Sequence, residues 1–245
     1  MSQDKKKGNG NTLAIISLIV TLIAALLGSP LLVEWFKNAQ NAGTPTAVVS
    51  QTPPEETEAP ITLTPLSGYT EQTLIFQEDF DNDNVSGFAY EGNWQVNKDK
   101  NNRVLEAGGA GKAIFGPSDF TNGVIEFRVQ IQESSDDAYA TMDFRENGNK
   151  TYALSIMENQ LTLGTREGDN PVEPFGTDSV RSLVFEKGAW YLIRIEVRGP
   201  EMIVYVDDNR IMSASDSQMN KGGLSFGMNA GMQAAFDDVR VWELK

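Results

Sequence analysis

The sequence predicts an all-β domain over residues 73–245, folded as a two-sheet antiparallel sandwich. Apolar and polar side chains alternate there in runs such as 124–131 and 191–198, which is typical of half-buried strands. Glycines interrupt these runs at short intervals, and the pattern gives no convincing amphipathic helix. About a dozen short strands separated by turns favour a sandwich over a mixed fold.

A hairpin is predicted in the second half of the domain. Residues 202–206 and 210–212 alternate as strands do, and Asp207-Asp208-Asn209 separates them. Asp and Asn tolerate the positive φ that tight hairpin turns require. Near the start of the domain, Phe80 is expected to enter the core while its acidic neighbours stay at the edge.

A transmembrane signal-anchor helix is predicted over residues 12–37. The stretch 12–33 is uncharged for 22 residues, and about 20 predominantly apolar residues are enough to cross a bilayer. Three lysines at 5–7 lie in a basic N-terminus, residues 1–11, which the positive-inside rule keeps in the cytoplasm. A cleaved signal peptide ending near Gly28 is the alternative. Under either interpretation the domain lies outside the cell.

A Pro/Thr-rich linker is predicted over residues 38–72. It has five prolines, four glutamates and neither lysine nor arginine. Such a composition cannot bury enough apolar surface to offset the entropy of ordering, so the segment is expected to be disordered. The sandwich is therefore predicted to stand away from the membrane on a spacer.

The composition excludes several classes of function. The chain has no cysteine and no histidine, which excludes disulfides, thiolate chemistry, histidine-ligated zinc and serine-histidine hydrolysis. Its formal net charge is −14. Nucleic acid is excluded as a partner on this basis, because binding DNA or RNA depends on neutralising phosphates with Lys and Arg. Cations and neutral ligands fit the composition better.

Four segments carry a resemblance to a known family. LIFQEDF (74–80), GAWYLIRI (188–195), VYVDD (204–208) and FDDVRVW (236–242) resemble the concanavalin A-like lectin/glucanase superfamily, with laminin-G-like modules and bacterial 3-keto-disaccharide hydrolase-like domains as the closest types. The resemblance implies a jelly roll of two curved sheets, a concave face that binds carbohydrate, and a structural calcium near the joined chain ends. Members of the glycoside hydrolase family 16 type carry Glu-x-Asp-x-Glu along one strand for retaining hydrolysis, and this chain lacks that motif.

A polar strand face is the candidate ligand site. On the predicted strand, Asp143 shares a face with Thr141 and Arg145, whereas Glu146 lies on the other face. Aromatic surfaces and planar polar groups are the side chains that recognise a pyranose and its hydroxyls. An ordinary solvent face with a weak Asp–Arg pair is the alternative. The candidate residues are Tyr139, Thr141, Asp143, Arg145, Tyr152 and Arg166.

Acidic residues at the two ends of the domain are the candidate metal site. Calcium takes about six to eight oxygen ligands, and Glu78, Asp79 and Asp81 are expected to lie opposite Asp237 and Asp238 of the last strand. The segment is not an EF-hand, because Tyr90 occupies the position of the bidentate glutamate. A solvated acidic turn is the alternative interpretation.

These observations favour a non-catalytic module that is anchored in the cell membrane by a single pass. Its N-terminus is predicted to be cytoplasmic, and its C-terminal domain is predicted to be extracellular and to bind carbohydrate or another cell-surface ligand. A glycoside or keto-sugar hydrolase using Asp143 is one alternative. A protein–protein interaction domain of the cell envelope is the other.

Overall fold

The computed structural model describes residues 72–81, 87–99 and 102–245. The predicted N-terminus (1–11), signal-anchor helix (12–37) and linker (38–72) lie outside these residues, apart from Gln72, which begins the first strand. Within the described part of the chain, no helix has the length and apolar character needed to span a membrane.

The described residues form fourteen strands and a single 3-10 turn, Thr177–Ser179. In chain order the strands are β1 Gln72–Glu78, β2 Phe88–Asp99, β3 Asn102–Phe120, β4 Gly123–Ser134, β5 Ala140–Asn147, β6 Lys150–Met157, β7 Gln160–Glu167, β8 Glu173–Pro174, β9 Val180–Ser182, β10 Trp190–Arg198, β11 Glu201–Val206, β12 Asn209–Ser215, β13 Gly222–Met228 and β14 Met232–Leu244. All strand pairs are antiparallel. The prediction of an all-β antiparallel domain is therefore confirmed.

One continuous path of paired strands curls to make the sandwich. Its order is β12-β11-β10-β4-β14-β3-β13-β5-β6-β7-β8, with β1 beside β14, β2 beside β3 and β9 beside β7. The long strands β3 and β14 pair with each other over only part of their length and use the remainder to pair with different neighbours. They therefore carry the sheet from one half of the sandwich to the other.

Aromatic side chains fill the space between the two halves. Phe226 of β13 stacks on Phe236 of β14 with ring centroids 4.3 Å apart, and Phe127 of β4 meets Phe226 edge-on at 5.0 Å. Phe80 is 0% exposed, as expected from its place in the sequence. Burying such rings is the main favourable contribution to folding in a domain without disulfides.

The predicted hairpin is confirmed. Asp207 and Asp208 have φ values of 47° and 62°, and they connect β11 to β12. Asp207 also accepts a hydrogen bond from the backbone N–H of Leu192 at 2.9 Å, which ties the turn to β10. The local turn signal in the sequence was sufficient here, because the residues that tolerate positive φ are the ones that adopt it.

Candidate functional site: a polar groove on strands β5 to β7 and β13

A groove of about 570 Å³ lies over β5, β6, β7 and β13 and is flanked by the β2–β3 hairpin. Its floor comes from alternate residues of these strands, whose other face packs into the core. In the register of the sheet, Asp143 of β5 lies between Ser225 of β13 and Ala153 of β6, and Ala153 in turn pairs with Gly164 of β7. Asp143, Ser225 and Ala153 therefore share the face of the sheet that the groove covers.

Asp143 and Arg166 form an ion pair at the base of the groove, which Arg166 lines and beneath which Asp143 lies. Arg166 of β7 reaches across β6, and its guanidinium contacts the Asp143 carboxylate and donates a second hydrogen bond to the Gly168 carbonyl at 2.6 Å. Asp143 is 0% exposed, and the Arg166 side chain is 11% exposed. The pair is therefore almost completely removed from water.

The electrostatics of this pair contain two opposing effects. Burial raises the pKa of the Asp143 carboxyl, and the Arg166 guanidinium counteracts part of that rise. Burial acts to lower the pKa of Arg166, but the Asp143 carboxylate outweighs it and holds this pKa above its ordinary value. The raised pKa of Asp143 favours a neutral carboxyl and hence a neutral pair, whereas the raised pKa of Arg166 favours the charged guanidinium and hence an ion pair. We assign the ion pair, because guanidinium keeps its proton in proteins and requires an anionic partner here.

Three polar atoms at the floor have no hydrogen-bond partner among the described residues. They are the Oγ1 atom of Thr141, the Oδ1 atom of Asp143 and the Nε atom of Arg166. An unsatisfied buried donor or acceptor costs about 1–3 kcal/mol. The three atoms supply an acceptor, a donor and a hydroxyl that does both, which is complementary to the hydroxyl groups of a polar ligand.

Gly227 of β13 keeps the groove open. A Cβ atom at this position would lie 2.5 Å from the Thr141 Oγ1 atom and 3.4 Å from the Asp143 Oδ2 atom. Any larger residue would therefore collide with the polar floor. A glycine inside a strand often marks a close approach of another group, and Gly227 is therefore the sequence signal for this groove.

The structure reverses the prediction for Arg145 and Glu146: Glu146 lies on the groove face of β5, and Arg145 does not. Arg145 has φ 54°, and the pairing of β5 with β6 and β13 shifts by one residue at this point. The resulting β-bulge adds one residue to the strand and reverses the alternation after it. Glu146 therefore lies in the groove, where it pairs with Lys112 of β3 and accepts a hydrogen bond from Ser225 at 3.2 Å. Arg145 points elsewhere and donates to the Thr121 and Met219 carbonyls.

Tyr152 also lies away from the groove. It is 0% exposed in the core, where its ring packs against Phe144, and its hydroxyl donates to Asp216 at 2.5 Å and accepts from the Met219 backbone N–H at 2.9 Å. Burial, followed by Asp216, raises the pKa of this hydroxyl to about 12. Its neighbour Thr151 lines the groove instead.

Tyr139 lies at the wall of the groove. Its backbone N–H donates to the Asn229 side chain at 2.8 Å, and its ring contacts no other aromatic ring in the described ranges. Burial raises the pKa of its hydroxyl, an effect that Arg166 opposes and Asp143 reinforces. Of the six predicted ligand residues, the structure thus brings Tyr139, Thr141, Asp143 and Arg166 together. It adds Lys112 and Glu146, which sequence reasoning missed.

The predicted metal residues belong to the end of β1, the residues after it and the two residues of β14 that precede the stretch paired with β1. We call this region the acidic end, defined as Glu78, Asp79, Asp81, Asp237 and Asp238. Glu78 accepts from the Phe80 N–H and Asp79 from the Asp81 N–H, at 3.0 and 3.2 Å. Asp237 accepts from Asn102 and from the Asp238 N–H, while Asp238 pairs with Arg128 and Arg240. In the part of the chain described here, no three acidic side chains converge to hold a metal ion. Calcium binding stays a prediction.

Comparison with solved structures identifies the fold. The chain is similar to the carbohydrate-binding module CBM66 from Bacillus subtilis, with a TM-score of 0.51 and 16% identity over 64% of this chain and 95% of that one. It is also similar to domain 4 of AbnA, a GH43 extracellular arabinanase from Geobacillus stearothermophilus solved with arabinotriose. The TM-score is 0.52 and the identity is 14%, over 71% of this chain and 94% of that one. For a GH16 protein from Bacteroides ovatus the TM-score is 0.53 and the identity is 11%, over 68% of this chain and 99% of that one. The fold is that of jelly-roll β-sandwich proteins.

No protein-family model matches the sequence, and no curated protein matches it. At identities of 16% and below, the structural likenesses establish the fold alone. The function has to be argued from the groove.

Proposed function

We propose that the domain binds a carbohydrate in the groove and does not hydrolyse it. The observation that carries this proposal is a groove lined by Thr141 and Arg166 whose base holds three unpartnered polar atoms, on Thr141, Arg166 and the underlying Asp143. Sugar hydroxyls both donate and accept hydrogen bonds, so they suit a site whose unpartnered polar atoms include donors and acceptors. The Tyr139 ring at the wall offers the flat apolar surface that a pyranose requires.

The charge of the groove opposes an anionic ligand and fits a neutral one, because Glu91 and Asp169 line it in addition to its two ion pairs. Both cations of the floor, Lys112 and Arg166, are already paired with acids, Glu146 and Asp143. A ligand that carried a full charge would compete with one of these pairs, whereas hydroxyl groups add hydrogen bonds without breaking them. Two of the similar structures are a carbohydrate-binding module and a domain solved with arabinotriose, which supports the same class of ligand.

The state of the carboxylates argues against hydrolysis. Retaining glycosidases need an acid and a nucleophile about 5 Å apart, both facing the sugar. Asp143 is fully buried and held by Arg166, and Glu146 is held by Lys112. The engagement of both carboxylates in ion pairs supports binding without hydrolysis.

The binding proposal is tested with the full chain, purified in a mild detergent, on a glycan array and by affinity electrophoresis in polysaccharide gels. Retardation by one class of neutral polysaccharide is expected. Thr141→Val removes one unpartnered hydroxyl without changing the side-chain shape and should weaken binding about threefold to tenfold, the value of one hydrogen bond. The exposed Thr73→Val is the matched control.

Two outcomes would contradict this proposal. Absence of binding to every neutral polysaccharide, together with capture of a single protein partner, would favour a protein–protein interaction domain of the cell envelope. Release of reducing sugar that Asp143→Asn abolishes, with the fold intact by circular dichroism, would establish the hydrolase instead.

We also propose that residues 12–37 tether this domain to the outer side of the cell membrane. The support is the uncharged stretch 12–33 and the lysines that precede it. Protease added to intact cells should release a fragment that begins within 38–72. Protection of the domain while the first residues are cut would reverse the orientation, and a secreted product starting near residue 28 would favour a signal peptide.

A further inference from the structure

A second pocket lies apart from the groove and shares no lining residue with it. Its volume is about 470 Å³, and it is formed by the turn before β4, the β10–β11 turn and the loop that leads into β13. Arg145 reaches it from β5 because of the bulge, together with Asn122 and Lys221. We call it the Arg145 pocket.

Arg145 carries a buried positive charge that has no negative partner among the residues that the structure describes. It is 2% exposed, and its guanidinium donates to the Thr121 carbonyl at 2.9 and 2.6 Å, to the Met219 carbonyl at 3.0 Å and to the Asn122 amide oxygen at 3.4 Å. These acceptors are neutral. A guanidinium has five N–H donors, so four hydrogen bonds leave one donor over. Burial lowers the pKa of this group.

The remaining lining of the Arg145 pocket adds a second cation and no acid. Lys221 is exposed at the mouth and has no ion pair in the described part of the chain, and Ser217 and Asn220 contribute polar side chains. Asp216, the acid of the same loop, accepts hydrogen bonds from the Tyr152 hydroxyl and the Gln218 N–H. A buried charge is costly unless it is paired. In a chain with a net charge of −14, this local excess of positive charge stands out.

We propose that the Arg145 pocket binds an oxyanion, either a carboxylate or a sulfate group. The spare N–H of Arg145 and the ammonium of Lys221 supply charge-assisted hydrogen bonds to the anion, and the Ser217 hydroxyl supplies a neutral one. An acidic sugar residue and a free inorganic anion share this chemistry. The site is independent of the groove, which takes a neutral ligand, so either proposal can fail without the other.

The probes are sodium sulfate, sodium glucuronate and uncharged glucose, each titrated into the isotope-labelled full chain in detergent at constant ionic strength. Saturable amide shifts at Asn122, Gly199 and Lys221 are expected with both anions and not with glucose. Lys221→Ala should weaken binding about tenfold, the value of one charge-assisted hydrogen bond. The exposed Lys187→Ala, outside the pocket, is the charge-matched control and should leave the affinity unchanged.

The two anions distinguish the source of the ligand. Tighter binding of glucuronate than of sulfate assigns an acidic sugar, and equal binding assigns a simple oxyanion. The proposal is overturned if neither anion gives a saturable shift, if the shifts lie elsewhere, or if Lys187→Ala weakens binding as much as Lys221→Ala does. Arg145→Met is informative only where its circular dichroism matches the parent chain, and the Lys221 variant decides the question without it.

Discussion

The groove and the acidic end both gather charged side chains, but they neutralise them differently. In the groove, the fully buried Asp143 meets a guanidinium from two strands away. At the acidic end, the nearly buried Asp237 receives its hydrogen bonds from the Asn102 amide and from a backbone N–H. Its pKa is raised to about 6, mainly by burial. An acidic cluster in a sequence therefore says little about whether its charges are paired, because the partners come from distant strands.

The strongest test of this contrast removes the cation of the groove. Arg166→Met leaves Asp143 buried without its partner, which costs about 3–5 kcal/mol for a buried pair. The free energy of unfolding, measured in urea, should fall by this amount, and carbohydrate binding should be lost. The double variant Asp143→Asn/Arg166→Met should recover part of the stability, because no unpaired charge remains. The exposed Arg210→Met is the control, and an equal loss there would contradict the role of the pair.

A smaller effect is expected from filling the groove. Gly227→Ala places a Cβ atom 2.5 Å from the Thr141 Oγ1 atom, so we expect a loss of stability of about 1–3 kcal/mol from overpacking and weaker carbohydrate binding. Gly223→Ala, on the same strand, meets nothing within 4 Å. It should leave both the melting temperature and the affinity unchanged. Equal affinities of the two variants would show that the ligand does not enter this part of the groove.

The sequence predicted the fold well because strand periodicity and turn residues are local signals. The hairpin at Asp207-Asp208 and the burial of Phe80 follow from neighbours in the chain. The groove was predicted only in part. Arg145 adopts a positive φ, for which a non-glycine residue gives no signal in the sequence. The bulge was therefore not predicted, and the alternation of faces was extended past Phe144 to Arg145 and Glu146. The Lys112–Glu146 pair joins β3 to β5, and only the sheet register brings them together.

The acidic end should make stability depend on pH in a defined window. Between the ordinary pKa of 3.8 and the folded value of about 6 for Asp237, the folded state binds more protons than the unfolded state. The free energy of unfolding contributed by this group therefore falls as the pH rises through that window. Asp237→Asn should remove the contribution and stabilise the chain above pH 6 relative to its parent. The two unfolding curves are compared at pH 4, 5, 6 and 7, with the exposed Asp178→Asn as control.

A constant difference between Asp237→Asn and its parent across the four pH values would contradict a raised Asp237 pKa. If the stability of the parent instead increased relative to that of the variant toward pH 7, the pKa of Asp237 would have to be lowered rather than raised.

The smallest expected effect concerns calcium at the acidic end. Arg128 and Arg240 already pair with Asp238, and Glu78 and Asp79 cap backbone N–H groups. These existing partners leave calcium only a small stabilising effect, so the melting temperature of the chain is expected to be slightly higher in excess calcium than in excess chelator. The difference should be absent in both Asp79→Ala and Asp238→Ala. Identical melting curves of the parent chain in the two conditions would contradict the predicted calcium site.

The bulge at Arg145 makes the two proposed sites genetically separable. Because Arg145 is the extra residue, the strand would read Asp143, Phe144, Glu146 in unbroken alternation without it. A one-codon deletion would then keep Asp143 and Glu146 facing the groove while withdrawing the guanidinium from the other pocket. The single extra residue thus places a charged side chain in the Arg145 pocket, while the neighbouring residues of β5 keep the faces that the groove requires.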